Sequence, residues 1–112
     1  QTKREDISNY VIKRAINYIR EHYQEGLTQE EVAAVLDITP EYLSTLFNRE
    51  MEINFSMFLK QFRISHAKRM LKGTDRKVYE IANAVGYSDP KYFQRVFKEV
   101  VGVSPGEYRQ MK

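Results

Sequence analysis

Four side chains in the last third of the chain, Lys91, Gln94, Arg95 and Lys98, have the types and spacing to grip a nucleic acid. Steps of three and four residues set them on one face of a helix, while Phe93, Val96 and Phe97 fall on the other. Lysine and arginine neutralise phosphates, and arginine can also take guanine O6 and N7 with two parallel hydrogen bonds. Glutamine can do the same with adenine. Arg95 is therefore the expected base reader, with Gln94 beside it and Lys91 and Lys98 as phosphate contacts. A second set lies earlier in the chain. A helix that turns Leu43, Leu46 and Phe47 inward leaves Glu41, Ser44, Thr45, Asn48 and Arg49 outside. This set is poorer: Ser44 and Thr45 are small, and Glu41 is acidic where groove entry disfavours it, although a carboxylate can accept from cytosine. The first half is expected to bind more weakly or to read shape. The plain alternative is a solvated helix face, and about half of the nine positions are expected to touch DNA.

Two short helices and a tight turn must present each set. Val78, Ile81, Ala82 and Val85 have helical spacing, Gly86 interrupts, Asp89 can cap the next helix and Pro90 suits its first position. A short pair of this kind with a basic outer face describes a helix-turn-helix. The chain repeats it at an offset of about fifty residues. Ala33 lies over Ala82, Leu36 over Val85, Pro40 over Pro90, Tyr42 over Tyr92, Leu43 over Phe93 and Phe47 over Phe97. The second copy carries one extra residue at its turn. In the first copy Thr28 to Glu31 reads as a capping box, Asp37 stands where the second copy has Gly86, and Thr39 caps the next helix.

The remaining elements frame these pairs. Gln1 to Asp6 is polar and expected to fray. A first helix is expected from Ser8, as cap, to Tyr23, with Ile12, Ile16, Ile19 and Tyr23 on one edge and Gly26 ending it. Asn54 starts what reads as the longest helix, with Phe55, Phe58, Leu59, Phe62, Ala67, Met70 and Leu71 on its apolar side and Gly73 at its close. Its length of ~27 Å is comparable to the ~34 Å of one DNA turn, so it could space two reading helices along one face of a duplex. Arg63, amid apolar neighbours, is expected in a structural ion pair, and Lys68 and Arg69 near phosphate or acids. A capping box at Ser104 to Glu107 opens a last helix from which Tyr108 packs back. The expected fold is all-α, about seven helices, with a first helix-turn-helix unit over 8–53, a linker helix over 54–73 and a second unit over 74–112.

The run IANAVGYSDPKYFQRVFK (Ile81–Lys98), then GVSPGEYR (Gly102–Arg109), resembles the DNA-binding domain of the AraC/XylS family of bacterial transcription regulators. Earlier matches are the Phe55–Leu71 helix, with its Arg63-Ile64 and Ala67-Lys68 pairs, and LTQEEVA (Leu27–Ala33). The resemblance covers almost the whole chain and is closest in flavour to the output domains of YesN-like response regulators. It implies two helix-turn-helix units joined by a long helix, and it puts the reading positions on the exposed residues of both second helices, the same nine side chains. The family usually has glycine where Asp37 and Glu52 stand and a serine-like cap where Lys77 stands.

Other chemistry is poorly represented. At 112 residues with a formal net charge of +3, the chain is one domain whose basic character must be local to guide nucleic acid. It has no cysteine for disulfides or thiolate catalysis, no apolar run near the ~20 residues of a membrane span, and no visible signal peptide. His22 and His66 are isolated, which makes a poor metal case, and neither a strained nucleophile motif nor a phosphate-binding glycine loop is present. The tyrosines and phenylalanines have helical spacing and are expected in the core. No enzyme and no cofactor is expected. The expected partners are double-stranded DNA and RNA polymerase, with no membrane. The isolated domain is expected to be a cytoplasmic monomer, cut from a regulator whose N-terminal part receives the signal. The rival reading is a helical protein-interaction module docking a receiver domain or RNA polymerase. Apolar anchors in place of the Lys91, Gln94, Arg95 and Lys98 row would have favoured it.

Overall fold

The computed structural model describes residues 7–112 in full, with the path of the first helix traced from Thr2. The fraying expected of Gln1 to Asp6 falls outside the fully described residues. Among the described residues there are seven helices and no strand: α1 (Thr2–His22), α2 (Gln29–Leu36), α3 (Pro40–Met51), α4 (Phe55–Gly73), α5 (Val78–Ala84), α6 (Pro90–Val101) and α7 (Pro105–Gln110). The chain divides into two compact units, Gln1–Leu59 and Lys60–Lys112, and the boundary falls inside α4. At 21 residues α1 is longer than α4 at 19, so the linker is the second-longest helix.

In the first unit α1 packs against both α2 and α3. It buries Ile12, Ala15 and Ile19, and these meet Val32, Ala33 and Leu36 of α2 and Leu43, Leu46 and Phe47 of α3 as one apolar core. Phe47 is fully buried and meets the Phe55 ring edge-on at 5.6 Å and Phe58 at 5.4 Å. Burying side chains of this size contributes ~1.5–3 kcal/mol each, which two short helices could not supply alone. The expected start of α1 is corrected. Ser8 is not a cap but an interior residue, 3% exposed, whose hydroxyl accepts from Arg49 Nη2 at 2.9 Å. A serine pointing inward needs a partner, and α3 provides it. The helix ends at His22, one residue before the expected Tyr23, and Gly26 beyond it is not left-handed.

In the second unit Ile64, Ala67 and Leu71 of α4 are buried, as are Ile81, Ala82 and Val85 and, on α6, Phe93, Val96 and Phe97. Ile64 was missing from the expected apolar side because the polar Arg63 and Ser65 flank it. Rings continue the core: Tyr87 lies 5.6 Å from Phe93, Phe93 5.8 Å from Phe97, and Phe97 5.7 Å from Tyr108. The expected return of Tyr108 is thus present. Arg109 holds α7 to the end of α4 by donating to the Leu71 carbonyl at 3.0 Å and the Thr74 carbonyl at 3.2 Å. Those carbonyls belong to a helix terminus that has no further amides of its own to bind them.

The internal repeat extends to individual backbone bonds. After α2, Asp37 is left-handed at φ 61°, its amide donates to Ala34, and the next amide, Ile38, donates to Ala33. After α5, Gly86 has φ 107°, its amide donates to Asn83, and Tyr87 donates to Ala82. Both turns are therefore the same Schellman closure. The extra residue of the second copy enters after it, at Ser88. The reading helices also end alike, on Glu52 at φ 63° and Gly102 at φ 99°. The following helices open on Asn54 Oδ1, which accepts from Met57 N at 2.8 Å, and Ser104 Oγ, which accepts from Glu107 N at 3.1 Å.

Candidate nucleic-acid interface

Each reading helix is started by its sequence. Thr39 Oγ1 accepts from Tyr42 N at 3.0 Å ahead of Pro40, and Asp89 Oδ1 accepts from Lys91 N at 3.0 Å ahead of Pro90. Proline at the first position loses nothing, since that amide has no helical partner. Before each reading helix stands its supporting helix. Thr28 Oγ1 caps α2 through Glu31 N at 3.1 Å, but the expected capping box is only half made. The Glu31 carboxylate instead accepts from Tyr18 Oη of α1 at 2.7 Å, a bond that holds the Tyr18 proton and raises its pKa. At α5 Lys77 has no acceptor to offer, and Glu80 compensates by taking the Lys77 amide at 2.8 Å. In the last helix the Ser104 amide and hydroxyl hold the Glu107 carboxyl below its ordinary pKa.

The nine candidate side chains fall on two outer faces, one in each unit. On α3, Glu41, Thr45, Asn48 and Arg49 are exposed and Ser44 is half-buried, opposite Leu43, Leu46 and Phe47. On α6, Lys91, Gln94, Arg95 and Lys98 are exposed, opposite Phe93, Val96 and Phe97. The α6 face carries three of its four candidates as cations. The α3 face has one, Arg49, and that guanidinium is engaged on Ser8 and, at 3.2 Å, on Glu50. Asn48 donates to the Ser44 carbonyl at 3.0 Å within its own helix.

The expectation that the tyrosines are core residues fails for several of them. Tyr10, Tyr42, Tyr79 and Tyr92 are exposed, whereas Tyr23 and Tyr87 are buried. Tyr42 and Tyr92 occupy the same position of the two reading helices and are 41% and 43% exposed. The Arg95 guanidinium lies over the Tyr92 ring at 5.3 Å. The aromatic type of Tyr92 suggests the core, but its register does not. One step before the inward Phe93, it shares the outer side with Arg95. The Arg63 guanidinium lies 5.4 Å from the centre of the Tyr87 ring. Burial pushes the Tyr87 phenol up, and the nearby Arg63 charge opposes that shift. Lys68 lies over the Tyr108 ring at 5.6 Å. His22 stacks on Tyr18 at 4.1 Å and meets Glu25 at 3.2 Å, and His66 lies 4.7 Å from Phe62. Among the described residues no group of three or more His, Cys, Asp or Glu could hold a metal ion, and no helix is long and apolar enough to cross a membrane.

Comparison with known proteins bears on this pair of faces. A helix-turn-helix domain family model matches residues 32–111. The uncharacterized HTH-type transcriptional regulator YijO of Escherichia coli is 46% identical over 94 residues, which are 84% of this chain and 33% of that protein. The chain spans about a third or less of the length of the curated relatives YijO, YtdP, YisR and YpdC that it matches. The C-terminal domain of AraT, a response regulator from Geobacillus stearothermophilus, superposes with a TM-score of 0.89 at 38% identity, covering 91% of this chain and 85% of that one. The C-terminal domain of the two-component response regulator yesN from Fusobacterium nucleatum gives 0.83 at 36% identity, covering 86% and 94%. The DNA-binding domain of AdpA, solved with a target DNA, gives 0.81 at 25% identity, covering 85% and 86%. With the family model matching most of its length, and with two helix-turn-helix units whose turns close by the same bonds, this chain belongs to the AraC-type helix-turn-helix family of transcription-regulator DNA-binding domains.

Proposed function

We propose that the chain is the sequence-specific, duplex-DNA-binding output domain of a bacterial transcription regulator of the response-regulator kind, with α3 and α6 entering successive major-groove segments. The observation that carries this is the outer face of α6. Lys91, Gln94, Arg95 and Lys98 project from a helix whose other side is clamped by Phe93, Val96 and Phe97. Such a helix can enter a groove without disturbing its core. Arg95 takes a guanine, Gln94 an adjacent base, and Lys91 and Lys98 take phosphates. Glu41, Ser44, Thr45, Asn48 and Arg49 form the weaker reading face, with Arg49 set in place by Ser8. The division into a first unit over 8–53, a linker over 54–73 and a second unit over 74–112 belongs to this proposal. So do action as a monomer, contact with RNA polymerase, a cytoplasmic site of action and the lack of any catalytic step. The complex of the related AdpA domain with its target DNA supports the reading.

Selection of bound sites from random duplex DNA tests it. Two unlike half-sites about one helical turn apart, bound by one chain, are expected. A strict palindrome bound only by dimers overturns the bipartite reading. No enrichment of any sequence overturns DNA recognition in favour of a protein-docking module.

A further inference from the structure

Arg95 does not project alone. Its guanidinium lies over the Tyr92 ring at 5.3 Å, one turn earlier on α6. The Tyr92 ring lies 5.9 Å from Tyr87. Tyr87 is buried, packs 5.6 Å from Phe93 and carries the Arg63 guanidinium 5.4 Å from its own ring centre. A row therefore runs from the half-buried Arg63 through two tyrosines to the exposed Arg95, anchored at its inner end by the core. Tyr92 is 43% exposed, more than an aromatic ring serving only the core would be.

We propose that Tyr92 is a positioning residue for base reading: its ring, fixed from behind by Tyr87, holds the Arg95 guanidinium in the orientation that meets a guanine. A free arginine surrenders rotamer freedom when its fork engages a base, and a ring beneath the planar guanidinium removes part of that loss beforehand. The face of a tyrosine ring attracts a guanidinium and leaves its N–H edge free to donate in the ring plane. In the first unit Tyr42 holds the same position, but Thr45 stands where Arg95 does, so the device is confined to α6. The inference rests on the proposed reading by Arg95, and the test separates the two.

Wild-type protein, Tyr92→Phe, Tyr92→Leu, Arg95→Ala and the Tyr92→Leu/Arg95→Ala double variant are titrated against the selected duplex and against duplexes with each base pair of the α6 half-site replaced. Thermal melts verify folding. Tyr92→Leu is expected to lower discrimination at the base pair read by Arg95 by about 2–5-fold, the scale of an exposed cation–π contact. Tyr92→Phe, which keeps the ring, restores it. In the Arg95→Ala background Tyr92→Leu has no further effect, as two residues acting through one contact require. In the free protein, proton NMR is expected to find the Arg95 Cδ protons shifted upfield by the ring, and the shift lost in Tyr92→Leu. If Arg95→Ala relaxes one base pair but Tyr92→Leu does not, Arg95 reads unaided and the positioning role is overturned while the reading stands. If Tyr92→Leu costs as much without Arg95, Tyr92 contacts DNA itself and the inference falls. If Arg95→Ala relaxes no base pair, the reading by Arg95 and the role of Tyr92 fall together.

Discussion

Replacing Glu52 with glycine is expected to stabilise the first unit. Glu52 ends the reading helix α3 at φ 63°, ψ 14°, a left-handed conformation that costs a residue bearing a Cβ ~1–2 kcal/mol. Glycine adopts it freely but loses more backbone entropy on folding, which offsets ~0.5–1 kcal/mol of the gain. The net expectation for Glu52→Gly is a gain of ~0.5–1 kcal/mol, or about 2–4 °C in Tm for a domain of this size. The repeat supplies the reverse experiment. Gly102 ends α6 in the corresponding place at φ 99°, and a Cβ built there meets nothing within 4 Å. Gly102→Ala therefore carries no clash with neighbours, only the backbone strain less the entropy that glycine loses on folding, and is expected to lose ~0.5–1 kcal/mol. Thermal and urea melts of both variants with the wild type make the assay, and the m-values serve to confirm an unchanged unfolding transition. A lower Tm for Glu52→Gly, or an unchanged Tm for Gly102→Ala, would refute the equivalence of the two helix ends.

Arg49→Ala is expected to lower Tm by ~4 °C, because Ser8 loses the partner that reaches it from α3 and an intramolecular hydrogen bond contributes ~1 kcal/mol net; an unchanged melt contradicts that bond. Lys98→Ala should leave the melt alone and reduce the slope of log affinity against log salt by ~1, while a slope equal to wild type would remove Lys98 from the phosphate contacts. The Glu107 carboxyl is held below its ordinary pKa by the Ser104 amide and hydroxyl, so its contribution is present above the usual carboxylate range and is lost as pH falls through the lowered value. Wild type should therefore melt above Glu107→Gln at neutral pH and converge with it in acid; a gap constant with pH would show that the charge does not matter.

Legibility in the sequence followed the range of the forces involved. Helix starts set by a neighbouring side chain were readable: Thr39 with Pro40, Asp89 with Pro90 and Ser104 with Glu107 all cap as their spacing indicates. The turn at Asp37 was readable because an aspartate aligned with Gly86 implies a left-handed backbone. What local spacing could not carry were partners brought near only by folding. Ser8 looks like a cap until Arg49, 41 residues later, is packed against it. Glu31 looks like the return half of a capping box until Tyr18 takes it. The Tyr87 ring beside the Arg63 guanidinium likewise comes from a distant turn of the chain. At the candidate interface the two outer faces follow from the positions of Leu43, Phe47, Phe93 and Phe97. Tyr92 is the exception: an aromatic residue suggests a core, whereas its register beside Phe93 puts it outside.

Arg95→Ala, titrated against the selected duplex and against scrambled DNA with thermal melts alongside, addresses the central claim that α6 reads sequence. Arg95 is exposed and opposite Phe93, Val96 and Phe97, so the melt should not change. Specific binding should weaken by ~1–3 kcal/mol, with one base pair relaxed, a guanine, and scrambled DNA affected less. Equal weakening on both DNAs with an unchanged melt would make Arg95 a phosphate contact, and a much lower melt would make it part of the core; either result contradicts the account.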